Sequence, residues 1–475
     1  MAVIVVLGGG VCGLATAMVL ARDGHEVRVL ERDAGPVPDS PTDAWQGWHR
    51  PGVAQFGQAH YLQARSTRVL DAELPDVRDA LLAAGALRYD LLDNAPPTAG
   101  VLDRRPNDDR FVSVTARRST LEQVVARAAA EEPRVEVERG VEVDGLVTRA
   151  LDGVPHVTGV HTSTGRQVDA DLVVDATGRR SPVPAWLRAA GGRSPHEEAT
   201  DSGFSYYTRF FRSRDGGGLP PLRGALHTAV GTFSVLTIPA DLGTWSVTLV
   251  ADSHDRPLKE LRHEEVWAAV LAACPQQAHW TDGEPITGVL PMSGVLDRYT
   301  RAVVDGAPVV TGLVSVSDAW ACTNPSLGRG VSMGFLHATC LRDQLREGVD
   351  DDPRTFAQRW DDGVERTMTP WYQATLAVDR ARLAEMRALR DGQVPEPPQG
   401  RAALGPALRQ AAPHDLELFR AMLEIVGCLA LPAEVFSRPG LAERVMRTAA
   451  EHPSPGAPGP DRGQLLALLA GVPVR

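Results

Sequence analysis

The stretch AVIVVLGGGVCGLATAMVLARDGHEVRVLERD, residues 2–33, decides the fold of this 475-residue chain. Its run VIVVL is continuously apolar and β-branched, which is typical of a parallel strand buried on both faces. A glycine-rich turn and an apolar helix follow, and the run EVRVLE is typical of a second strand. The order strand, turn, helix, strand predicts a Rossmann-like α/β domain with a parallel sheet.

The turn carries Gly8, Gly10 and Gly13 in the spacing GxGxxG. The first glycine permits a tight turn, the second lets backbone approach a pyrophosphate, and the third lets the helix pack closely on the strand. The helix N-terminus adds free N–H groups for the phosphates. Glu31 ends the second strand, where an acid accepts a hydrogen bond from a ribose 2′-hydroxyl, so FAD or NAD is favoured over NADP at this site.

Charge and cysteine content exclude other classes of protein. The formal net charge of −11 argues against nucleic acid or an anionic membrane as the main partner. The five cysteines include no CxxC pair, so a disulfide framework or a zinc site is not expected, and no metal is predicted. This cysteine usage favours a reducing cytoplasm.

Three more motifs follow along the chain. The run ADLVVDATGRRSPVPAWL (170–187) begins as another apolar strand, and RRSTLEQVVARAA (117–129) is typical of a helix and carries Arg118. In SDAWACTNPSLGRGVSMG (317–334), Asp318 follows an apolar strand and precedes bare backbone at the start of a helix. A carboxylate there accepts hydrogen bonds from hydroxyls, and helix N-terminal N–H groups stabilise negative charge. The alternative is a capped strand–loop–helix connection that binds nothing.

With the glycine turn, these motifs in this order resemble the flavoprotein monooxygenases of the para-hydroxybenzoate hydroxylase type. The resemblance implies that FAD is the dinucleotide, that Asp318 binds its ribityl chain, and that the proline and glycines after it run beside the isoalloxazine ring. The family usually has Gly-Asp where this chain has Ser317-Asp318. The cofactor-binding residues predicted in this way are Gly8, Gly10, Val11, Cys12, Gly13, Glu31, Arg32, Arg50, Arg118, Asp318, Pro325, Gly328, Gly330 and Val331.

Two segments, RPGVAQFGQAHYL (50–62) and DSGFSYYTRFFR (201–212), resemble the flavin epoxidases of actinobacterial polyether antibiotic biosynthesis. Near the first segment that family usually has Gly-Val-Pro-Gln followed by two histidines. Here Ala54 replaces the proline and Gln58 the first histidine, whereas His60 remains. His60 is the weak candidate for an acid or base, and a structural role is the alternative.

The FAD motifs are scattered, so the predicted FAD-binding domain is discontinuous and comprises residues 1–75, 110–195 and 295–345. Between these segments, period-two patterning in GFSYYTRFF, GTFSVLTIP and TWSVTLVAD predicts an antiparallel sheet. Residues 76–109 and 196–294 form the predicted substrate domain, whose sheet covers the pocket in the family. Residues 346–475 are predicted to be a helical C-terminal region that caps the pocket or makes a subunit contact.

The candidate pocket residues are Tyr206, Thr208 and Phe210, which share one face of a predicted strand, and Trp320. The side chains between them on the strand share the opposite face. Alternation alone does not say which of the two faces lines the pocket.

The resemblance implies an FAD-dependent monooxygenase that inserts one oxygen atom from O2 into an apolar natural-product intermediate of polyketide or aromatic type. Hydroxylation, epoxidation and Baeyer–Villiger oxidation are not separated by the sequence. FAD carries the chemistry, and NAD(P)H supplies electrons directly or through a partner flavin reductase. The pocket should be apolar, because water has to be kept from the activated oxygen.

Three alternatives remain open at this point. A flavoprotein reductase or dehydrogenase on the same scaffold would insert no oxygen, and a silent flavin-binding protein would have no substrate. A flavin-dependent halogenase would resemble its family in a Trp-x-Trp-x-Ile-Pro stretch and a catalytic lysine. Here the nearest fragment is FSVLTIP, without tryptophan, and the single lysine is Lys259, at a predicted surface helix start.

Overall fold

The structure is a computed structural model that describes residues 1–53, 55–214, 218–348, 352–453, 456 and 458–471. Ala54, compared above with the family's proline, lies outside these residues. A parallel sheet, an antiparallel sheet and a helical C-terminal region make up the described chain, so the predicted fold class is confirmed. Within the described residues, no helix is both long enough and apolar enough to cross a membrane.

The strands follow one another along the chain as β1 (Val3–Leu7), β2 (Glu26–Glu31), β3 (Leu87–Asp90), β4 (Val112–Thr115), β5 (Val135–Arg139), β6 (Val143–Leu151), β7 (Val154–Thr162), β8 (Gln167–Asp169), β9 (Leu172–Asp175), β10 (His196–Asp201), β11 (Phe204–Arg212), β12 (His227–Val230), β13 (Phe233–Pro239), β14 (Thr244–Asp252), β15 (Glu284–Pro285), β16 (Leu290–Met292), β17 (Leu296–Arg301), β18 (Val303–Val304), β19 (Ala307–Pro308), β20 (Leu313–Ser315) and β21 (Ala321–Cys322).

The α-helices are α1 (Val11–Arg22), α2 (Pro41–Gly47), α3 (Ala64–Glu73), α4 (Pro75–Ala83), α5 (Arg118–Glu131), α6 (Val183–Ala189), α7 (Glu264–Ala272), α8 (Gly330–Gly348), α9 (Pro353–Thr367), α10 (Thr369–Arg390), α11 (Leu404–Ala411), α12 (Leu416–Val426), α13 (Pro432–Phe436), α14 (Leu441–Glu451) and α15 (Arg462–Leu469).

The parallel sheet has the strand order β20–β9–β1–β2–β5. Its central strand β1 is buried from Ile4 to Leu7, because helices cover one face and the β7 side of the molecule covers the other. Helix α1 is apolar nearly all round, since it packs on the sheet and also touches α5 and α8. The carboxyl ends of β1, β2, β9 and β20 therefore meet at one edge, where ligands of such sheets bind.

The antiparallel sheet is built on β12, β13, β14 and β11, which pair in that order. Tyr206 lies opposite Val250, and Thr208 lies opposite Thr248. On the other face of the sheet, the side chain of Tyr207 joins a buried core that also contains residues of α7 and α15. One face of this sheet is thus closed by its own core, and the opposite face is left for the rest of the molecule.

Helix α10 runs from the parallel-sheet side to the antiparallel sheet. Near its middle, Arg382 donates to the carbonyl oxygen of Phe233 at 2.6 Å. Near its end, Arg387 donates to Asp252 Oδ2 at 3.0 Å. The first helices after residue 352 therefore brace the two sheets against each other.

Candidate active site

A cavity of about 2840 Å³ lies between the carboxyl ends of the parallel strands, one face of the antiparallel sheet, and helices α8 and α10. The fourteen predicted cofactor residues all line it. They come from stretches far apart in the sequence, so the structure brings together what the sequence motifs could only place in order.

The glycine turn has the geometry that each glycine was predicted to need. Gly8 has a φ of 103°, and a Cβ there would lie 2.6 Å from the carbonyl oxygen of Ala176. A Cβ on Gly13 would collide with the carbonyl oxygen of Gly8. A Cβ on Gly10 would meet no atom within 4 Å, so the backbone at Gly10 is bare toward the cavity. This is the cradle expected for a pyrophosphate.

Glu31 lies beside the cradle with its carboxylate partly engaged. Its Oε2 accepts hydrogen bonds from the Gly9 N–H at 2.8 Å and from Arg50 at 2.9 Å. Its Oε1 accepts one from the Asp33 N–H at 2.8 Å. A carboxylate accepts about four hydrogen bonds, so one acceptor position remains for a ribose hydroxyl.

Arg50 has a larger structural role than the sequence suggested. Its guanidinium bonds Asp33 at 3.0 Å and Glu122 at 3.2 Å as well as Glu31, and only 1% of the side chain is exposed. It therefore forms ion pairs with three buried carboxylates behind the cradle. A direct contact between Arg50 and a cofactor stays a prediction.

His60 does not fit the role of acid or base. Burial, with the nearby Arg118 guanidinium, lowers the pKa of His60 to about 3. Its Nε2 lies 3.2 Å from Arg118 Nη1, which can only donate, so Nε2 is the acceptor. The ring is neutral near pH 7 and its lone pair is occupied. Arg118 itself is held by Glu122, whose Oε1 accepts from Arg118 Nε at 2.8 Å.

Asp318 sits on the cavity wall at the end of β20. No described residue donates a hydrogen bond to its carboxylate. Burial raises the pKa of Asp318, while the positive charges of Arg118 and Arg179 act in the opposite direction. A carboxylate in this state gains from a ligand that brings hydroxyl donors, as a ribityl chain does.

The serine that replaces the family's glycine occupies the left-handed region of backbone space. Ser317 has a φ of 54°, where glycine is the favoured residue. Its N–H donates to His337 Nδ1 at 3.0 Å, and this buried ring stacks on Trp360 at 5.1 Å. The backbone thus follows a path that suits glycine, and the hydrogen bond that Ser317 donates to His337 helps to hold it.

One wall of the cavity is formed by the face of β11 that carries Tyr206 and Thr208, and Trp320 also lines the cavity. Phe210 does not, because it continues past the cavity and packs edge-on against Trp45 at 5.0 Å. Thr208 donates to Gln58 Oε1 at 3.0 Å, so the glutamine that replaces a family histidine is tied to this wall. Further apolar members of the wall are Phe204, Leu236, Ile238, Val250 and Met292.

The N-terminal part of the chain is similar in sequence to a known family. Residues 1–201 match a family of sequences described as FAD binding domain. The chain carries an FAD-binding domain. The match contains the glycine cradle, Glu31, Arg50 and Arg118, so the predicted FAD cofactor is confirmed at the level of this domain.

Two curated proteins are similar to the chain in sequence. Protein Rv3254 of Mycobacterium tuberculosis (strain ATCC 25618 / H37Rv) is 29% identical over 367 residues, which is 72% of this chain and 72% of that protein. A chloroplastic zeaxanthin epoxidase of Oryza sativa subsp. japonica is 27% identical over 219 residues, 43% of this chain and 28% of the epoxidase. The chain thus matches less than a third of that epoxidase's length.

Solved structures show that the likeness in fold extends well beyond the FAD-binding domain. The flavin-dependent brominase Bmp2 has a TM-score of 0.60 at 14% identity, over 94% of this chain and 98% of that one. A 2-methyl-3-hydroxypyridine-5-carboxylic acid oxygenase has a TM-score of 0.57 at 18% identity, over 87% and 97%. The predicted fold, like that of flavin monooxygenases, is therefore confirmed over most of the chain.

The residues present fit FAD. The bare backbone at Gly10 faces the cavity, Glu31 keeps an acceptor, and Asp318 lacks a donor. Beyond Asp318, the backbone of Gly328 and Gly330 lines the same cavity at the start of α8, where unpaired N–H groups point out of the helix. The cavity thus offers a phosphate cradle at one end and the carboxylate of Asp318 further along.

Sequence reasoning missed a polar cluster beside Pro325. Asp379 of α10 accepts a hydrogen bond from Ser326 Oγ at 2.7 Å, and Tyr206 donates its hydroxyl to Asn324 Oδ1. Burial raises the pKa of Asp379 to about 6, against the opposing effect of the Ser326 hydrogen bond. In the sequence Asp379 is one of two acids on a helix that also carries four arginines, and this pattern does not reveal what lies opposite it.

Proposed function

We propose that the chain is an FAD-dependent monooxygenase that transfers one oxygen atom from O2 to an apolar small molecule. The observation that carries the proposal is the continuity of one cavity from the FAD cradle to an apolar wall. Pockets for a single drug-sized ligand hold about 300–1,000 Å³, and this cavity holds about 2840 Å³. It has room for the cofactor and for a large second molecule beside it.

When bound, FAD supplies the redox chemistry with O2. In the overall reaction one oxygen atom joins the substrate and the other leaves as water, and NAD(P)H with a proton provides two electrons and the hydrogens. Either direct reduction by NAD(P)H or delivery by a partner flavin reductase is compatible with this balance. The protein's part is to bind, orient and shield.

The residues of the chain divide these tasks between them. The glycine turn and the α1 N-terminus hold the pyrophosphate, and Asp318 accepts hydrogen bonds from the ribityl hydroxyls. The N-terminus of α8 places partial positive charge beside the flavin ring, where reduction adds negative charge. The apolar side chains of Phe204, Ile238 and Val250 exclude water from the reacting oxygen.

No protein nucleophile is needed, and His60 is not in a state to move a proton. This arrangement suits transfer of oxygen to an alkene or an activated aromatic ring, of polyketide or aromatic origin. Halogenation is disfavoured because Lys259 is exposed on the 3-10 helix Arg256–Arg262 and does not line the cavity.

The test is oxygen consumption by the purified, FAD-loaded protein with NADPH or chemically reduced flavin. A monooxygenase will consume O2 and yield an oxygenated product from an apolar alkene or phenol. A reductase will yield a hydrogenated or dehydrogenated product without incorporation of oxygen. A silent flavoprotein will release only hydrogen peroxide, whatever compound fills its cavity, and either of these two results refutes the proposal.

A further inference from the structure

The cavity continues along helix α10 away from the flavin end. The helix lines it with small side chains at spacings of three and four residues, namely Ala374, Ala377, Ala381, Ala384 and Ala388. Such spacing puts these alanines on one face. They leave a smooth, apolar strip of wall with no hydrogen-bonding group of its own.

A charged cluster lies at the far part of this wall. Arg382 and Glu385 of α10 form an ion pair at 2.6 Å, and His227 of β12 and Arg409 of α11 stand close enough to interact with Arg382 electrostatically. All four line the cavity. With two arginines and one glutamate, the cluster carries a net positive charge when His227 is neutral.

The two arginines differ in their partners. Arg382 is fully engaged, since it bonds Glu385, Ser234 and the carbonyl oxygens of Gly231 and Phe233. Arg409 makes neither a hydrogen bond nor an ion pair with any described residue. Desolvation by the surrounding protein lowers the pKa of Arg409, whereas the charge of Glu385 acts in the opposite direction and that of Arg382 in the same one. The side chain of Arg409 is exposed and lines the cavity, so an anion bound there would supply a hydrogen-bonded partner.

We propose that the substrate is an apolar chain with a carboxylate at one end, and that Arg409 binds this carboxylate. This inference rests on the proposed function. A guanidinium holds a carboxylate with two parallel hydrogen bonds, which makes arginine suited to this task. The apolar body lies along the alanine wall of α10. The opposite end of the chain reaches the flavin.

The length of helix α10 also sets the length of substrate that the cavity would accept. Asp379 touches Ser326, next to Pro325 at the flavin end, and Glu385 lies six residues further on. At about 1.5 Å per residue this is about 9 Å along the axis. With the reach of the Arg409 side chain, the carboxylate and the reacting carbon stand about 10–15 Å apart, so a chain of a few carbons is too short.

The binding experiment uses undecylenic acid, which has a carboxylate at one end and an alkene at the other. Affinity for the FAD-loaded protein is measured from the change in flavin absorption, and compared with the methyl ester, the alkyl phosphate of the same length and the short allylacetic acid. We expect the acid to bind about 10-fold more tightly than the ester. Stronger binding of the phosphate than of the carboxylate would assign the site to a phosphorylated carrier arm and refute the carboxylate proposal.

Variants assign this preference to one residue. Arg409→Gln should abolish the difference between acid and ester, and Arg409→Glu should favour undecylenyl amine instead. Arg447→Gln makes the same charge change at an exposed position of α14 outside the cavity, and should keep the wild-type preference. Equal affinities for acid and ester in the wild type, or an unchanged preference in both Arg409 variants that keep their FAD, would overturn the inference.

The inference and the proposed function fail in different ways. If the ester triggers oxygen transfer as well as the acid does, the monooxygenase proposal stands and the carboxylate site is refuted. If the acid binds through Arg409 but neither compound is oxygenated, the site stands and the choice of reaction is refuted.

Discussion

Ser326 donates a hydrogen bond from its Oγ to Oδ1 of Asp379 at 2.7 Å. The bond joins the loop that follows Asp318 to a helix from the C-terminal region, more than fifty residues away in sequence. Through it, the helical region contacts the loop that we propose lies beside FAD. Whether this region caps the pocket or makes a subunit contact stays a prediction.

Replacement of Asp379 by asparagine should change how stability depends on pH. Burial raises the pKa of Asp379 from 3.8 to about 6, so the folded state binds this proton more tightly than the unfolded chain. The wild type therefore has its full stability from this group below about pH 4 and loses it as the pH rises through 6. Asp379→Asn cannot ionise and still accepts the hydrogen bond from Ser326.

The free energy of unfolding of Asp379→Asn relative to the wild type should thus increase by on the order of 3 kcal/mol between about pH 4 and pH 8. Urea denaturation of apo-protein at several pH values measures it. Asp362→Asn, at an exposed position, is the control and should show no such trend. A difference that stays constant with pH would show that Asp379 is not held in an unfavourable ionised state.

Substitutions of Ser317 test the left-handed backbone. Ser317→Gly relieves about 1–2 kcal/mol of backbone strain and costs about 0.5–1 kcal/mol of chain entropy, so the variant should be neutral to slightly more stable. Ser317→Val, which is β-branched, should be destabilised by at least about 1 kcal/mol. Thermal unfolding of the two apo-proteins measures both, and a stabilised valine variant would mean that φ at this position is negative.

Removal of the Asp318 carboxylate should separate stability from cofactor binding. Because burial disfavours its ionised form and no described residue hydrogen bonds it, Asp318→Ala should leave the apo-protein at least as stable as the wild type. Its affinity for FAD should fall about 10-fold or more, because hydrogen bonds to a charged acceptor are lost. Full retention of FAD by this variant would place the ribityl chain elsewhere.

Loss of the Arg50 guanidinium should strongly destabilise the folded protein. It faces Glu31, Asp33 and Glu122, each of which is at most 6% exposed in its side chain. Arg50→Ala should lower the free energy of unfolding by about 3–5 kcal/mol near neutral pH, since buried carboxylates lose their partner. The exposed pair Arg127–Asp39 provides the control, because Arg127→Ala should cost less than about 1 kcal/mol. Similar losses for the two variants would contradict the buried cluster.

The residues predicted to bind FAD line one cavity, and the sequence could single out those of the glycine turn because their signals are local. The glycine spacing needs only a turn and a helix start, and Glu31 follows from the end of the next strand. Asp318 required the family resemblance, since a carboxylate at a strand end has many uses. The face of β11 that lines the cavity could not be chosen from alternation, because both faces carry large apolar side chains.

Contacts between distant segments account for what the sequence did not reveal. Phe210 shares a face with Tyr206 but leaves the cavity, because Trp45 from the FAD-binding side covers it. Arg50 was expected at the cofactor and is tied mainly to acids at the end of β2, just after it, and on α5. The roles of Asp379 and Arg409 depend on how α10 and α11 lie over the sheet, and neither helix carries a motif that specifies this.

The most direct test of the central claim is the fate of isotopically labelled O2. Bound FAD is reduced chemically without oxygen, undecylenic acid or a phenol is added until the flavin spectrum shows that it is bound, and labelled O2 is then admitted. The account predicts a product that contains one labelled oxygen atom, with the other in water. Reoxidation of the flavin with stoichiometric hydrogen peroxide and no label in any bound compound would contradict it.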